Sequence, residues 1–320
     1  MAPSLLDLFR LLAAFEPKRM DLSEAPWEAY VDWAIAQGLA PLAAYNLEYR
    51  LGSCGAPEWA RDRMLSIFQG SANDNVMKLV GFKRTLDDLQ GRRVALVGAV
   101  SFLESLYPHV AFRPVIDLRV LVPAGEVEAF ANFLRRAEFR PATDLADAAG
   151  AQAVLTDTRA LVFVHDRLAP EPGLDRALLQ RSLPLKVFGP SVFRLDLEDA
   201  LLAQVALMAR VGFEVPLIEL VDLRELVLGA PAMGGVYSRP AQAPVLAARA
   251  REWKLERALW AALSLVERLF PETRAAVAPL RPELSFPVRE LLERLVVAPL
   301  AEVGRTRSLR GEELLRALVS

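Results

Sequence analysis

The chain has 320 residues, of which 53% are hydrophobic and 24% charged, enough to build a substantial core and too apolar for a disordered chain. A formal net charge of −2 gives no electrostatic case for a nucleic-acid or anionic-membrane partner. Cys54 is the only cysteine, which excludes an intramolecular disulfide and a cysteine-rich zinc site and fits a reducing compartment.

Met1 to Lys18 reads as an amphipathic helix, because Asp7 and Arg10 interrupt what would otherwise be the apolar run of a leader. No stretch approaches the ~18 uncharged apolar residues of a membrane span, so a soluble, cytoplasmic protein is expected. Trp27, Tyr30, Val31, Ala34 and Ile35 recur at helical spacing after a start at Ser23 and Pro26. Gly38 and Pro41 punctuate, and helix resumes over Leu42 to Tyr49. Pro57 to Leu89 is again helical, with Met64, Ile67, Phe68, Val76, Leu79 and Leu86 as the expected buried positions.

The texture then changes. Val94 to Val97 is a short apolar run ended by Gly98, the pattern of a buried strand entering a tight turn. A helix is predicted from Ser101 to Tyr107, a strand from Val115 to Val122 closed by Pro123, and an amphipathic helix from Gly125 to Ala137. Further strands are predicted at Ala153 to Leu155 and Leu161 to His165. From Asp196, a helix cap, the chain is helical through Val211 and again from Pro216 to Leu228. Gly229 to Pro244 reads as a loop, followed by helices at Val245 to Phe270, Val288 to Leu295 and Gly311 to Val319. These elements predict an α+β fold in three parts. A helical region covers 1–92, a small mixed β-sheet core 93–195, and a second helical region 196–320.

The run Val94-Ala-Leu-Val-Gly-Ala-Val-Ser-Phe-Leu-Glu-Ser-Leu-Tyr-Pro108 is followed by Arg113-Pro-Val-Ile-Asp-Leu-Arg-Val-Leu-Val122. Together they resemble the uncharacterised nucleotidyltransferase family of the polymerase-β-like superfamily. That family has a strand, a Lys-Gly turn, a helix ending in Tyr-Pro, and then Arg-x-x-Ser-Asp-x-Asp-x-Leu-Val. The likeness runs upstream through Trp33, Gly38 to Leu42 and Asn75. Downstream it runs through Val164-His165, Leu195 to Leu202, Leu220 to Leu223 and Leu255 to Leu259, spanning roughly residues 30 to 270. It implies a nucleotidyltransferase-like core and, for the family at large, transfer of a nucleotidyl group from an NTP. Carboxylates at i and i+2 of one strand share a face, and with a third they would hold two Mg²⁺ ions.

Against that pattern the set in this chain is broken. Asp117 stands at the first carboxylate, Arg119 at the second, and Phe163 aligns with the third, with Asp157 and Asp166 as alternatives. Val97 replaces the Lys of the turn and Ile116 the Ser before the first Asp. The three positions then carry −1, +1 and 0, too little negative charge to offset the dehydration of divalent ions. The resemblance therefore implies a non-catalytic or weakly catalytic binding or accessory protein, placed by analogy in a bacterial pathway that builds modified peptides or surface polymers.

Arg119 is expected to reach Asp117 and fill the vacated metal position. A nucleotide or phosphate ligand would then meet Gly98, Ala99, Arg113, Arg119, His165 and Arg167, with no cofactor and no metal beyond Asp117. Each has a plainer reading: Gly98 as a structural turn, Arg113 as an ion-pair partner of an acidic helix, His165 as a structural histidine, His109 as a loop residue. Two rival functions stay open. One is an active Mg²⁺- and NTP-dependent enzyme that uses Asp117, Glu104 or another carboxylate. The other is a partner-binding scaffold without nucleotide, docking through apolar terminal helices. The stripe Trp253, Leu259, Trp260, Leu263 and Val266 is expected in the core, with a partner interface as the rival.

Overall fold

This computed structural model describes residues 3–89, 91–142, 150–169, 171, 173–229, 237 and 239–301. The chain starts with α1 (Leu5–Leu12), held by a capping box in which Ser4 and Asp7 satisfy each other's backbone. It continues through α2 (Trp27–Ala36) and α3 (Ala40–Tyr45), the latter running into a π-turn over Asn46–Leu51 that ends at left-handed Gly52. The 30-residue α4 (Glu58–Asp87) then leads to the sheet.

The sheet interleaves β1 (Val94–Val97), α5 (Ala99–Phe102), β2 (Asp117–Leu121), α6 (Val127–Arg136), β3 (Arg140–Pro141), β4 (Ala153–Thr156), β5 (Leu161–His165), α7 (Leu174–Arg181), β6 (Leu183–Pro184) and β7 (Val192–Arg194). Its order is β3-β4-β5-β2-β1-β7-β6, with β1 antiparallel to β2 and parallel to β7, and β2 parallel to β5. Four long helices follow: α8 (Leu197–Arg210), α9 (Leu217–Leu228), α10 (Ala243–Glu252) and α11 (Glu256–Leu269). Asp196 caps α8 by accepting from the Asp199 amide, as its position before the helix predicts.

Period-2 alternation splits the sheet into two unlike faces. Leu96, Leu118, Val120, Val162 and Val164 form one face, buried with Phe82 and Leu86 of α4 and Phe130 and Leu134 of α6. The other face carries Ala95, Val97 and Leu121 into a larger core shared by the N-terminal helices and by α8 to α11. Trp253, Leu259, Trp260, Leu263 and Val266 all belong to that larger core.

The α+β architecture matches the sequence reading, and several details differ. The single helix expected from Val245 to Phe270 breaks into α10 and α11, because Lys254 turns to φ 54° between them. Strands β3, β6 and β7 and helix α7 were not predicted; the three strands have only two or three residues each, too few to show a period. Ile67 and Val76, expected in the core, are exposed on α4, whose buried side carries Met64, Leu79, Phe82 and Leu86 instead. The predicted helix from Gly311 to Val319, and most of the loop after Gly229, lie outside the described residues.

Candidate functional site

The half-open part of the second sheet face is where strand β2 presents Asp117 and Arg119. Being two residues apart on one strand, they project together. The Arg119 guanidinium donates from Nε to Asp117 Oδ1 at 3.1 Å and from Nη2 to Oδ2 at 3.0 Å, a fork on both carboxylate oxygens. Phe163 of β5 lies directly across from Arg119 in the parallel register, its ring centroid 5.8 Å from the guanidinium carbon. On the other side Val97 of β1 faces Arg119. One carboxylate, one guanidinium, one phenyl ring and one isopropyl group thus meet on this face.

Gly98 follows Val97 with φ 66° and ψ −145°, a conformation that disfavours a side chain, and starts α5 with Ala99 as its first residue. The turn is buried. A methyl group placed on Gly98 would touch Leu207 at 3.8 Å and the Gln204 carbonyl oxygen at 3.9 Å, both on α8. The turn that an open cradle would present to phosphates is therefore roofed by α8. That Gln204 oxygen is itself buried without a hydrogen-bond partner.

Arg113 is placed in a different setting from Arg119. It is buried and donates from Nε and Nη2 to Asp222 Oδ2 at 3.1 and 3.0 Å, from Nη2 to Glu219 at 2.6 Å and from Nη1 to the Pro114 carbonyl at 2.8 Å. Asp222 also accepts from the Tyr107 hydroxyl at 2.5 Å, and Glu219 accepts from the Gln204 amide. Burial raises the Asp222 carboxyl to about 7, against the pull of Arg113. Burial likewise works to raise Glu219, but Arg113 and Arg119 outweigh it and hold that carboxyl low. Arg113 thus serves as the counter-ion of an acidic helix face, with its donors taken up by Asp222, Glu219 and the Pro114 carbonyl.

Between β2 and the α8–α9 turn lies a cavity of about 210 Å³, lined by Arg119, Leu207, Arg210, Val211, Glu214 and Glu219 among others. Arg210 donates to the carbonyls of Gly150 and Arg167 at 2.8 and 3.2 Å, tying α8 to the segments flanking β4 and β5. Burial and the nearby Arg119 and Arg167 lower the Arg210 pKa. The Arg167 side chain is exposed.

His165 points to the same sheet face as Phe163 and is wholly buried, with no hydrogen-bond partner of normal geometry on either ring nitrogen. Burial first, then Arg210 and Arg119, push it down to about 3; a loose approach to the Gly150 backbone opposes them. It is a neutral imidazole at physiological pH. His109 lies in an exposed loop, stacked on Phe68 at 5.4 Å.

Of the alternative carboxylates, Asp157 is absorbed by the β4–β5 turn, accepting from the amides of Arg159 and Ala160 at 2.8 and 2.6 Å. Asp166 follows His165 at the far end of β5, whereas Asp117 pairs with Leu161 at its start. Glu104 is half-buried, and burial raises its pKa. Among the described residues no group of three or more His, Cys, Asp or Glu side chains is arranged to hold a metal ion.

The structure brings Asp117, Arg119 and Phe163 together and sets His165 and Arg167 near Arg210. It adds Gln204, Arg210, Glu214 and Glu219, none of which the strand motif could reveal. A signal for Glu219 existed: Glu219 and Asp222, three apart on a helix whose remaining residues are apolar except Arg224 and Glu225, share one side and require a counter-ion.

The profile of the family described as "Uncharacterised nucleotidyltransferase" matches residues 23–271, more than half of the chain, and the chain belongs to that family. No curated protein and no solved structure matches it.

Proposed function

We propose that this member of the uncharacterised nucleotidyltransferase family has kept the fold and given up two-metal nucleotidyl transfer, acting as a binding or accessory protein in a bacterial biosynthetic pathway. The observation that carries this reading is the fork of Arg119 on both oxygens of Asp117. A guanidinium bonded there takes the place that a divalent ion would need, and it does so with fixed charge and a far weaker hydration shell to strip.

The residues present do not fit Mg²⁺ with an NTP. Phe163 offers no ligand where a third carboxylate would stand, and the Gly98 turn is covered by Gln204 and Leu207. A cavity of about 210 Å³ is also smaller than the ~300–1,000 Å³ of ordinary ligand pockets. What remains accessible is a small cleft with Arg119 and Arg210 on its wall, suited to a phosphate-sized group held without metal. Glu214 and Glu219 on the same wall limit how much negative charge it accepts.

The reading is tested by calorimetric titration of each of the four NTPs, with and without Mg²⁺. The wild-type chain should show no Mg²⁺-dependent NTP binding, and Arg119→Asp combined with Phe163→Asp, which restores carboxylates but leaves the roof over Gly98, should gain affinity for Mg²⁺ alone. Mg²⁺-dependent NTP binding or turnover by the wild type, abolished in Asp117→Ala, overturns the proposal.

A further inference from the structure

Aromatic rings form a row at the surface that shares no residue with the cleft of Asp117 and Arg119. Tyr45 ends α3 and Tyr49 follows on the π-turn, their ring centroids 5.1 Å apart. Tyr45 lies 6.4 Å from Phe68 of α4 at an interplanar angle of 30°, and Phe68 lies 5.4 Å from His109 at 21°. Buried Phe112 backs the row, its centroid 4.5 Å from Tyr45, 6.3 Å from Phe68 and 5.6 Å from His109.

The row is held in place by the chain itself. His109 Nδ1 accepts from the Ala111 amide at 3.1 Å, and the Ser71 hydroxyl donates to the Ala111 carbonyl at 3.1 Å. Asn75 Nδ2 donates to the Val110 carbonyl at 2.6 Å, so α4 grips this loop at two points. Its two ends are open: Tyr49 is 61% exposed, and His109 is exposed as well. A ring ending such a row keeps a flat face free, and a fixed flat face is where another ring stacks at little cost in ordering.

Two observations select the Tyr49 end. One is the π-turn, a rare backbone form that recurs at functional positions and here carries Tyr49 and Arg50 together. The other is charge. Arg50 is exposed, its guanidinium carbon stands 5.8 Å from the Tyr45 centroid, and it makes no ion pair among the described residues. The neighbouring carboxylate, Glu48, is already paired with Arg61 at 2.9 Å. An unpaired cation beside a free ring face suits a ligand with a flat ring and a negative group, and it repels the organic cations that such rings otherwise attract.

We infer that Tyr49 and Arg50 form a binding site for a flat aromatic phosphate, its ring stacked on Tyr49 and its phosphate group held by Arg50.

The test is calorimetric titration of the full chain, in EDTA, with AMP, phenyl phosphate, adenosine and inorganic phosphate. AMP or phenyl phosphate should bind roughly tenfold or more tightly than adenosine or phosphate alone. Binding of both identifies a site for aryl phosphates at large, and binding of AMP alone a site for nucleotides. Tyr49→Ala should weaken that binding roughly tenfold while Tyr49→Phe retains it, and Arg50→Gln should bring AMP down to the affinity of adenosine. Tyr49 and Arg50 are exposed, so folding, checked by circular dichroism, is preserved. Absence of binding by both aryl phosphates, or binding indifferent to Tyr49→Ala, overturns the inference. Binding lost in Arg119→Gln but kept in Tyr49→Ala also overturns it, and assigns the ligand to the cleft instead.

Discussion

The two faces of the sheet are built on opposite principles. Leu96, Leu118, Val120, Val162 and Val164 on one face meet α4 and α6 with apolar surface alone. On the other, Asp117, Arg119 and His165 share space with α8 and α9, whose Gln204, Arg210, Glu219 and Asp222 come from well further along the chain. Apolar packing is non-directional and tolerates many solutions, whereas a buried charge is secure only when its particular partner is in place. The first face therefore resists small changes of shape, and the second is vulnerable to the loss of any one member.

The sharpest way to break this contrast is Arg113→Met, which leaves Asp222 and Glu219 buried without their cation. It should cost about 3–5 kcal/mol in denaturant unfolding, and replacing Asp222 with Leu and Glu219 with Met in the same chain should recover most of that. Leu118→Ala, on the apolar face, should cost about 3 kcal/mol through lost transfer energy and the cavity it leaves.

His165 gives a pH signature to the ionic face alone. Its folded pKa of about 3 lies below the ordinary 6.5, so the unfolded chain binds the extra proton between those values. The His165 contribution should hold above pH 6.5 and be lost as pH drops toward 3, by up to about 1.4 kcal/mol per pH unit, opposite in sign to the contribution of Asp222, whose carboxyl is raised to about 7. His165→Leu should remove that contribution from the stability–pH curve. The smallest effect is expected for Asp117→Asn: the pair with Arg119 is only partly buried, so the loss in thermal stability should be about 1 kcal/mol or less.

How much of this was legible beforehand follows the same division. Val94 to Val97, Val115 to Val122 and Leu161 to His165 announced their strands, because burial on both faces leaves short, nearly continuous apolar runs. The encounter of Arg119 with Asp117 was legible too, since i and i+2 on one strand can only share a face. The roof that Gln204 and Leu207 place over Gly98 was not, because it depends on where α8 docks, and nothing local to Gly98 specifies that. The exposure of Ile67 and Val76 was missed for a related reason. A long helix with apolar residues on more than one side offers several faces, and only the tertiary fold decides which one is covered.

The span of α4 across both cores has a bearing on how the molecule comes apart. Met64 is bound into the helical core and Phe82 into the core beneath the sheet, and no break in hydrogen bonding separates them. Melting either end of this rod strips the neighbouring core of one wall and frays the support of the other. A chain divided at the junction of residues 92 and 93 would send the rod away with one fragment and leave the sheet's underside wet. Neither piece is then a self-sufficient folding unit, and proteolytic nicking there should release an insoluble fragment in place of two trimmed domains.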